Sequence, residues 1–188
     1  MNIRRAKITD AAEIAEVHVK SWQQSYRGLI EDDYLSQMSV TEREQRWHEW
    51  LKQKGHIVLV LEDVDHHLCG FISGGSIRSK HQYEGEIYAF YLLKAVQQKG
   101  HGTRMLKAFS KELTSIGKKS MIVWVLKDNP SKQAYISTGG KKIDEEQITV
   151  GTQHLFEECF AWDDITHILT NRTEHTSEIH SKNILGFY

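Results

Sequence analysis

Apolar residues recur along the chain with two different periods, one typical of strands and one typical of helices. Short runs rich in aliphatic and aromatic residues, bounded by turn-forming residues, predict about seven strands. These runs fall at residues 3–7, 56–62, 68–76, 84–93, 121–126, 142–150 and 154–162. The paired glycines Gly74 and Gly75 predict a bend or bulge in the third of these strands.

Helical spacing fills most of the segments between the strands. It is clearest at residues 102–116, where Met105, Phe109 and Leu113 recur on one face, and Gly117 then ends the helix. This pattern predicts an amphipathic helix that packs one face against the sheet.

Two earlier helices are predicted from the residues at their starts. Asp10 with Glu13, and Thr41 with Glu44, have the spacing of capping boxes, in which each side chain satisfies a backbone N–H of the first turn. A short helix is expected between them at residues 32–38.

The order of the elements predicts the fold class. Asn129 and Pro130 favour the start of another helix directly after the apolar run at 121–126, which is typical of a strand covered on both faces. Together the elements predict a mixed α/β (α+β) fold, a central mixed sheet of about seven strands with helices on both faces. The strands at 84–93 and 121–126 should form a parallel crossover.

Composition narrows the class of protein. The chain has 188 residues, which suits one domain, and its 24 basic and 25 acidic residues give a formal net charge of -1. No basic excess indicates a nucleic-acid partner, and no apolar run approaches the ~20 residues of a membrane span. Since the first residues lack the apolar stretch of a secretory signal, we expect a cytoplasmic protein.

Cysteine and histidine usage predicts neither a disulfide framework nor a metal site. Cys69 and Cys159 are isolated within strand-like segments, so we expect buried free thiols. The 11 histidines lack the spacing of metal ligands, and no metal is predicted.

Residues 97–103, Gln-Gln-Lys-Gly-His-Gly-Thr, lie between a predicted strand and the helix that follows it. Backbone N–H groups at a helix start have no intrahelical partner, and the helix dipole favours an anion there. Gly100 and Gly102 would let the backbone approach that anion closely. A dinucleotide fingerprint requires a third glycine where Met105 stands, and the chain has no Walker sequence.

The spacing Q-x-x-G-x-G in this loop is the pyrophosphate-binding signature of the GNAT acetyltransferases, and other segments resemble the same family in its own order. Residues 86–102, EIYAFYLLKAVQQKGHG, are similar to its fourth strand and pyrophosphate loop. Residues 121–140, MIVWVLKDNPSKQAYISTGG, are similar to its fifth strand and the helix ending in Tyr-x-x-x-Gly. Residues 21–29 resemble the opening segment of many bacterial members.

The resemblance implies an acetyltransferase domain at residues 1–163. A C-terminal extension at 164–188 has no counterpart in the family, and its role stays open. Lys94 and Gln98 depart from the family, which usually has Pro and often Gly there, but neither change removes a backbone donor.

The resemblance also implies acetyl-CoA as co-substrate. Its pantetheine arm would pair with the backbone of Tyr91, Leu92 and Leu93, and the Leu92 N–H would donate to the oxyanion. Asn129 would contact the pantetheine or the adenosine. The pyrophosphate would bind the backbone of Gln97, Gln98, Lys99, Gly100, His101, Gly102 and Thr103, with Lys99 and Arg104 adding positive charge.

For catalysis, the resemblance implies Tyr135 as the general acid, since a phenol with pKa near ~10 can protonate a thiolate with pKa near ~8.5. The alternative is a packed aromatic. Glu86 is the best candidate for the base, directly or through water, and the alternative is an exposed strand carboxylate. Trp22, Tyr26 and Trp47 would line the acceptor side, where cation–π contacts can bind an amine, and the alternative for each is core packing.

The expected function is N-acetyl transfer from acetyl-CoA to a small-molecule or peptide amine, by direct attack in a ternary complex. No nucleic-acid or membrane partner is expected, and the sequence leaves a homodimer open. One alternative is a non-catalytic coenzyme A-binding sensor or partner module. A second is a structural α/β domain with a fortuitous loop.

Overall fold

The computed structural model describes residues 1–170 and contains one seven-stranded sheet. Its strands are β1 (Asn2–Arg5), β2 (Ile57–Glu62), β3 (Leu68–Ser76), β4 (Gly85–Leu92), β5 (Met121–Leu126), β6 (Lys141–Val150) and β7 (Gln153–Trp162). They lie in the order β1-β2-β3-β4-β5-β7-β6. β4 and β5 pair in parallel, and the other pairs in this part of the chain are antiparallel. The predicted fold class, strand number and parallel pairing are confirmed.

Helices cover both faces of the sheet. They are α1 (Ala11–Ser25), α2 (Asp32–Ser36), α3 (Val40–Lys52), α4 (His101–Ser115), α5 (Lys132–Ser137) and α6 (Thr166–Thr170). α1 and α3 pack on one face, and α4, α5 and α6 pack on the other.

Alternation along β3 divides the core between the two faces. Phe71 packs with Ile14 and Trp47 under α1 and α3, whereas Ile72 packs with Phe109 under α4. All five side chains are fully buried. Burial on this scale stabilises the fold by about 1.5–3 kcal/mol for each large apolar side chain.

The predicted capping box at Asp10 is wrong. The Asp10 carboxylate accepts hydrogen bonds from Arg4 Nη1 at 2.7 Å and from the Lys7 N–H at 2.6 Å. Glu13 instead accepts from the Leu68 N–H at 3.0 Å. The charged arginine of β1 competes for the carboxylate because a charge-assisted bond is stronger than a neutral cap.

The second predicted capping box is also misplaced. Ser39 is the N-cap of α3, and its Oγ accepts from the Glu42 N–H at 3.2 Å. The helix therefore begins at Val40, and the Ser-x-x-Glu pair lies two residues before the predicted pair of Thr41 and Glu44.

The packed domain continues beyond the predicted boundary at residue 163. Ile165 and Ile168 are fully buried in the core cluster that includes α4, and the Ile165 N–H donates to the Lys119 carbonyl at 2.8 Å. The first part of the expected extension thus belongs to the domain. Residues 171–188 of that extension lie outside the described residues.

β4 carries one unpaired residue where it passes the two glycines of β3. Ser73 pairs with Ala89, whereas Gly74 pairs with Ile87, so Tyr88 is the extra residue of a bulge. The irregularity was predicted at the glycines, but the extra residue belongs to the partner strand. A side chain at Gly74 would overlap the β4 backbone, so glycine is required for this close approach.

Candidate active site

A gap between β4 and β5 is the central feature of the site. The parallel pairing ends at Ile87 and Val123. Beyond that point β4 pairs with β3 as far as Leu92, and β5 pairs with β7 as far as Leu126. The two strands therefore leave an opening at their carboxyl ends, where ligands bind in sheets with parallel crossovers.

The register of β4 decides which of its N–H groups face this gap. The Leu93 N–H donates to the Cys69 carbonyl at 2.8 Å, and N–H groups alternate in direction along an antiparallel ladder. The Leu92 and Phe90 N–H groups therefore point away from β3 and into the gap. Those of Tyr91 and Leu93 are directed at β3, so Leu92 alone among the three predicted residues offers an N–H donor. Sequence reasoning missed Phe90.

The loop before α4 has the conformation of an anion-binding site. Gln97 anchors it, because its Nε2 donates to the Leu92 carbonyl at 2.8 Å. Gln98 and Gly100 have positive φ angles of 57° and 77°. Within residues 1–170, the N–H groups from Gln98 to Thr103 have no hydrogen-bond acceptor. These unpaired donors precede and open a helix of 15 residues, where the dipole favours an anion.

Two basic side chains flank the loop at different places. Lys99 Nζ donates to the Ala95 carbonyl at 2.9 Å, which holds the ammonium against the loop itself. Arg104 lies in the first turn of α4, 3.4 Å from His101 Nδ1. Burial and the charge of Arg104 lower the pKa of His101. Lys99 and Arg104 thus both place positive charge beside the loop.

Tyr135 lies on α5, buried against Trp162 and Phe160. Burial raises the pKa of its phenol well above the ordinary value, and the neighbouring Tyr26 adds to the shift. The hydroxyl is therefore protonated throughout the neutral range and can donate a hydrogen bond.

Asn129 is buried at the turn between β5 and α5. Its Oδ1 accepts from the Ser131 N–H at 2.9 Å and from Ser131 Oγ at 2.6 Å. α5 begins only at Lys132, so Asn129 caps the preceding turn and not the first turn of the predicted helix. The side chain fixes the path of the chain from the gap to Tyr135.

A cleft of about 490 Å³ opens on the sheet face that carries α1. Trp22, Tyr26 and Tyr91 line one wall, and the Tyr26 and Tyr91 hydroxyl oxygens are 3.5 Å apart. Tyr91 is next to Leu92, so the cleft reaches the gap. The structure does not bring Trp47 to this surface.

Trp47 is fully buried between α3 and the sheet, so its prediction as an acceptor-side residue is wrong. Its Nε1 donates to His18 Nδ1 at 3.3 Å, and the His18 ring stacks on Tyr91 at 5.2 Å between centroids. Burial, together with the charge of Arg43, lowers the pKa of His18 to about 3. Trp47 thus acts behind the cleft by orienting a neutral imidazole that packs on the cleft wall.

Glu86 is buried at the start of β4 and is held by Arg78. Its Oε1 accepts from Arg78 Nη2 at 2.6 Å and Nε at 3.1 Å, and its Oε2 accepts from the Arg78 backbone N–H at 2.8 Å. The guanidinium also stacks on Tyr88, 3.7 Å from the ring centroid. Sequence reasoning missed Arg78, which donates hydrogen bonds to both carboxylate oxygens of Glu86.

Among residues 1–170 no group of three His, Cys, Asp or Glu side chains is arranged to hold a metal ion. Cys69 and Cys159 are buried free thiols, as predicted. No helix in this range is both long and apolar enough to cross a bilayer.

Sequence comparison gives two findings that agree with this geometry. A family profile described as FR47-like protein matches residues 77–149, which include β4, the loop, α4, β5 and α5. The uncharacterized N-acetyltransferase YuaI of Bacillus subtilis (strain 168) is 35% identical over 171 residues, covering 90% of this chain and 97% of that protein.

Solved structures share the fold. YncA, a putative acetyltransferase from Salmonella typhimurium with its cofactor acetyl-CoA, aligns with a TM-score of 0.68 at 24% identity, covering 92% of this chain and 95% of its own. The PaiA N-acetyltransferase from Thermoplasma acidophilum, in complex with coenzyme A, aligns with a TM-score of 0.66 at 23% identity, covering 83% and 96%.

The buried neutral His18 predicts a specific loss of stability in mild acid. Its pKa is about 3 in the folded chain and ~6.5 when unfolded, so between these values only the unfolded chain binds the proton. The free energy of unfolding should therefore fall as the pH falls from 7 to 5, and His18 should contribute about 2 kcal/mol of this loss. Urea unfolding of wild type and His18→Gln at both pH values measures it.

His67→Gln is the control, because His67 is exposed in the turn between β2 and β3. The His67 variant should keep the full loss between pH 7 and pH 5, whereas the His18 variant should lose much less. Equal losses in wild type and His18→Gln would show that this imidazole is not held neutral by burial.

Proposed function

This chain belongs to the GNAT family of N-acetyltransferases, and we propose that it transfers the acetyl group of acetyl-CoA to an amine by direct attack in a ternary complex. The observation that carries the proposal is the gap between β4 and β5, open to the glycine loop at one end and to the cleft at the other. Donor and acceptor can then meet at Leu92 from opposite faces of the sheet.

On the donor side, the unpaired N–H groups from Gln98 to Thr103 bind the pyrophosphate, and Lys99 and Arg104 supply positive charge. The pantetheine arm lies in the gap along β4, with Asn129 beside it on the β5 side. Support comes from the backbone, because these donors are unpaired within the described residues and adjoin the start of α4, whose dipole favours an anion.

On the acceptor side, the neutral amine attacks the thioester carbonyl carbon, and the C–N bond forms as the carbonyl oxygen becomes an oxyanion. The Leu92 N–H donates to this oxyanion, since it faces the gap and has no partner in β3. Collapse of the intermediate breaks the C–S bond and releases the coenzyme A thiolate. Trp22 and Tyr26 bind the acceptor through their aromatic faces.

Tyr135 donates its phenolic hydrogen to the leaving thiolate. Its raised pKa makes full proton transfer less favourable than for an exposed phenol, but burial also penalises a thiolate in the same gap. The phenol therefore stabilises the developing charge by a hydrogen bond as the C–S bond breaks. The departing thiolate takes the phenolic proton and leaves as the thiol, and the phenolate regains a proton from water.

Glu86 acts on the amine proton through water. Direct contact is disfavoured because both of its oxygens accept from Arg78. A water between the carboxylate and the amine can still relay the proton to the exposed mouth of the cleft.

We also propose that the reaction takes place in the cytoplasm. Two buried free cysteines suit a reducing compartment, where such thiols persist.

Two glycines at opposite ends of α4 provide a matched test of the loop. Gly100 and Gly117 have φ angles of 77° and 83°, and a Cβ at either would meet nothing within 4 Å. Alanine in this left-handed conformation costs about 1–2 kcal/mol, so both variants should lose similar stability. Gly100→Ala should also raise the dissociation constant of coenzyme A about tenfold in calorimetric titration, because the strained loop relaxes when it is empty.

Gly117→Ala is expected to bind coenzyme A like wild type. If the Gly100 variant binds coenzyme A with wild-type affinity, or if both variants lose affinity equally, the loop does not bind coenzyme A as proposed.

Tyr135→Phe tests the proposed acid. The variant should lower kcat by about a hundredfold and leave the affinity for acetyl-CoA nearly unchanged, because it removes only the phenolic donor. Tyr83→Phe is the control, since the Tyr83 hydroxyl donates to Asp163 on the surface at 3.0 Å. Thiol release from acetyl-CoA measures both.

An unchanged kcat in Tyr135→Phe would remove the acid assignment. If wild type binds acetyl-CoA but releases no thiol with any amine tested, the chain is a coenzyme A-binding module and not an enzyme.

A further inference from the structure

The β6–β7 hairpin carries two adjacent pairs of facing glutamates. Glu145 is opposite Glu158, and Glu146 is opposite Glu157. Neighbouring residues of a strand point to opposite faces, so the two pairs lie on opposite faces of the sheet. Like charges placed directly opposite each other in a sheet are destabilising unless something compensates them.

The first pair is neutralised by lysines. Lys142 Nζ lies 2.5 Å from Glu145 Oε2 and 2.8 Å from Glu158 Oε1. Lys127 contacts Glu145 at 2.8 Å, and Lys132 contacts Glu158 at 2.9 Å. These contacts lower the pKa of Glu145 to about 2 and also lower that of Glu158.

The second pair has no such compensation. Within residues 1–170, Glu146 and Glu157 have neither an ion pair nor a side-chain hydrogen bond, and both line the cleft. Glu157 is half-buried, and burial together with the charge of Glu146 raises its pKa. The fold therefore retains a repulsion on the cleft face that it removes on the other face.

The charged side chains that line the cleft are mostly acidic. Glu86, Glu146 and Glu157 line it, and among the lining residues the only cation is Arg78, which already contacts Glu86. Two negative charges thus remain uncompensated in the cleft, although the formal net charge of the whole chain is -1. Aromatic faces of Trp22, Tyr26 and Trp124 complete a surface suited to a cation.

The sheet register gives the distance from these carboxylates to the reaction centre. Glu157 pairs with Leu126 of β5, which borders the gap, and Glu146 lies one strand further out. Since neighbouring strands are about 4.8 Å apart, the two carboxylates lie roughly 5–10 Å to the side of the gap. An acceptor with a few methylene groups between two nitrogens spans that distance.

We propose that the acceptor is a dication, an aliphatic amine with a second cationic group, and that Glu146 and Glu157 bind this second group while the first amine reaches the thioester at Leu92. This inference rests on the proposed acetyl transfer. The facing carboxylates select the substrate by charge, because a neutral chain end leaves them repelling each other and a carboxylate adds to the repulsion.

Three acceptors of equal length test the charge requirement with acetyl-CoA: 1,5-diaminopentane, 1-aminopentane and 5-aminopentanoic acid. The value of kcat/KM should be at least about tenfold higher for the diamine than for the monoamine, and lowest for the amino acid. Glu157→Gln should lower kcat/KM about tenfold for the diamine and leave that for the monoamine nearly unchanged.

Glu145→Gln is the matched control, because Glu145 is next to Glu146 in β6 and its side chain lies on the sheet face away from the cleft. It should keep the preference for the diamine. Melting temperatures also separate the two variants. Glu157→Gln should melt at the same or a higher temperature than wild type, because it relieves repulsion, and Glu145→Gln at a lower one, because Lys127 loses its carboxylate partner and Lys142 keeps only Glu158.

Equal kcat/KM for the diamine and the monoamine, or an equal loss of preference in Glu145→Gln, would overturn the proposal while leaving acetyl transfer intact. If acetyl-CoA binds but no amine is acetylated, the proposed acetyl transfer is wrong. The cation site is then tested separately, by the binding of the diamine. In that case 1,5-diaminopentane should still raise the melting temperature of the wild-type complex with coenzyme A more than that of Glu157→Gln, and the absence of this difference would reject the site.

Discussion

The early end of the pairing between β4 and β5 is the constraint on which the site depends. Once the ladder stops at Ile87 and Val123, the next N–H groups of β4 that face β5 have no partner. An unpaired N–H in a buried gap is costly unless a ligand or water accepts from it. The bulge at Tyr88 lies where the strands part, and Gly74 permits the close packing that the bulge needs. The strand that builds the core thereby also supplies the proposed oxyanion donor at Leu92.

Much of the fold follows from the sequence, because the periods of apolar residues and the glycine positions encode it locally. All seven strands and the helix after the loop lie within a few residues of their predicted bounds. The two helix starts failed for a different reason. Arg4 lies on β1, and its ion pair with Asp10 arises only when that strand meets the helix, so a local capping pattern could not reveal it. The N-cap pattern at Ser39 is visible in the sequence, but the similar pattern of Thr41 and Glu44, two residues later, competes with it.

The site was less predictable because it depends on register and on contacts distant in sequence. The loop and the order of β4 and β5 are local, and the predicted anion-binding segment has unpaired donors from Gln98 to Thr103. The Gln97 N–H, which was predicted among them, instead donates to the Lys94 carbonyl at 3.3 Å. Which β4 amide faces the gap depends on pairing with β3, and no pattern within β4 encodes this. Trp22 and Trp47 both lie on predicted helices, and the sequence does not distinguish them. Trp47 is nevertheless buried beneath α3, whereas Trp22 lines the cleft. The pairing of Glu145 with Glu158 and of Glu146 with Glu157 can be inferred from the sequence, because the two members of each pair lie at similar distances along the chain from the turn at Gly151.

Amide hydrogen exchange at Leu92, followed by NMR, tests the role of the unpaired strand most directly. Without ligand, Leu92 should exchange faster than Tyr91 and Leu93, whose N–H groups are directed at β3. Bound acetyl-CoA should slow exchange strongly at Leu92 and change it little at its two neighbours. If Leu92 is already protected in the free protein, or exchanges at the same rate with and without acetyl-CoA, its N–H is not the group that receives the thioester.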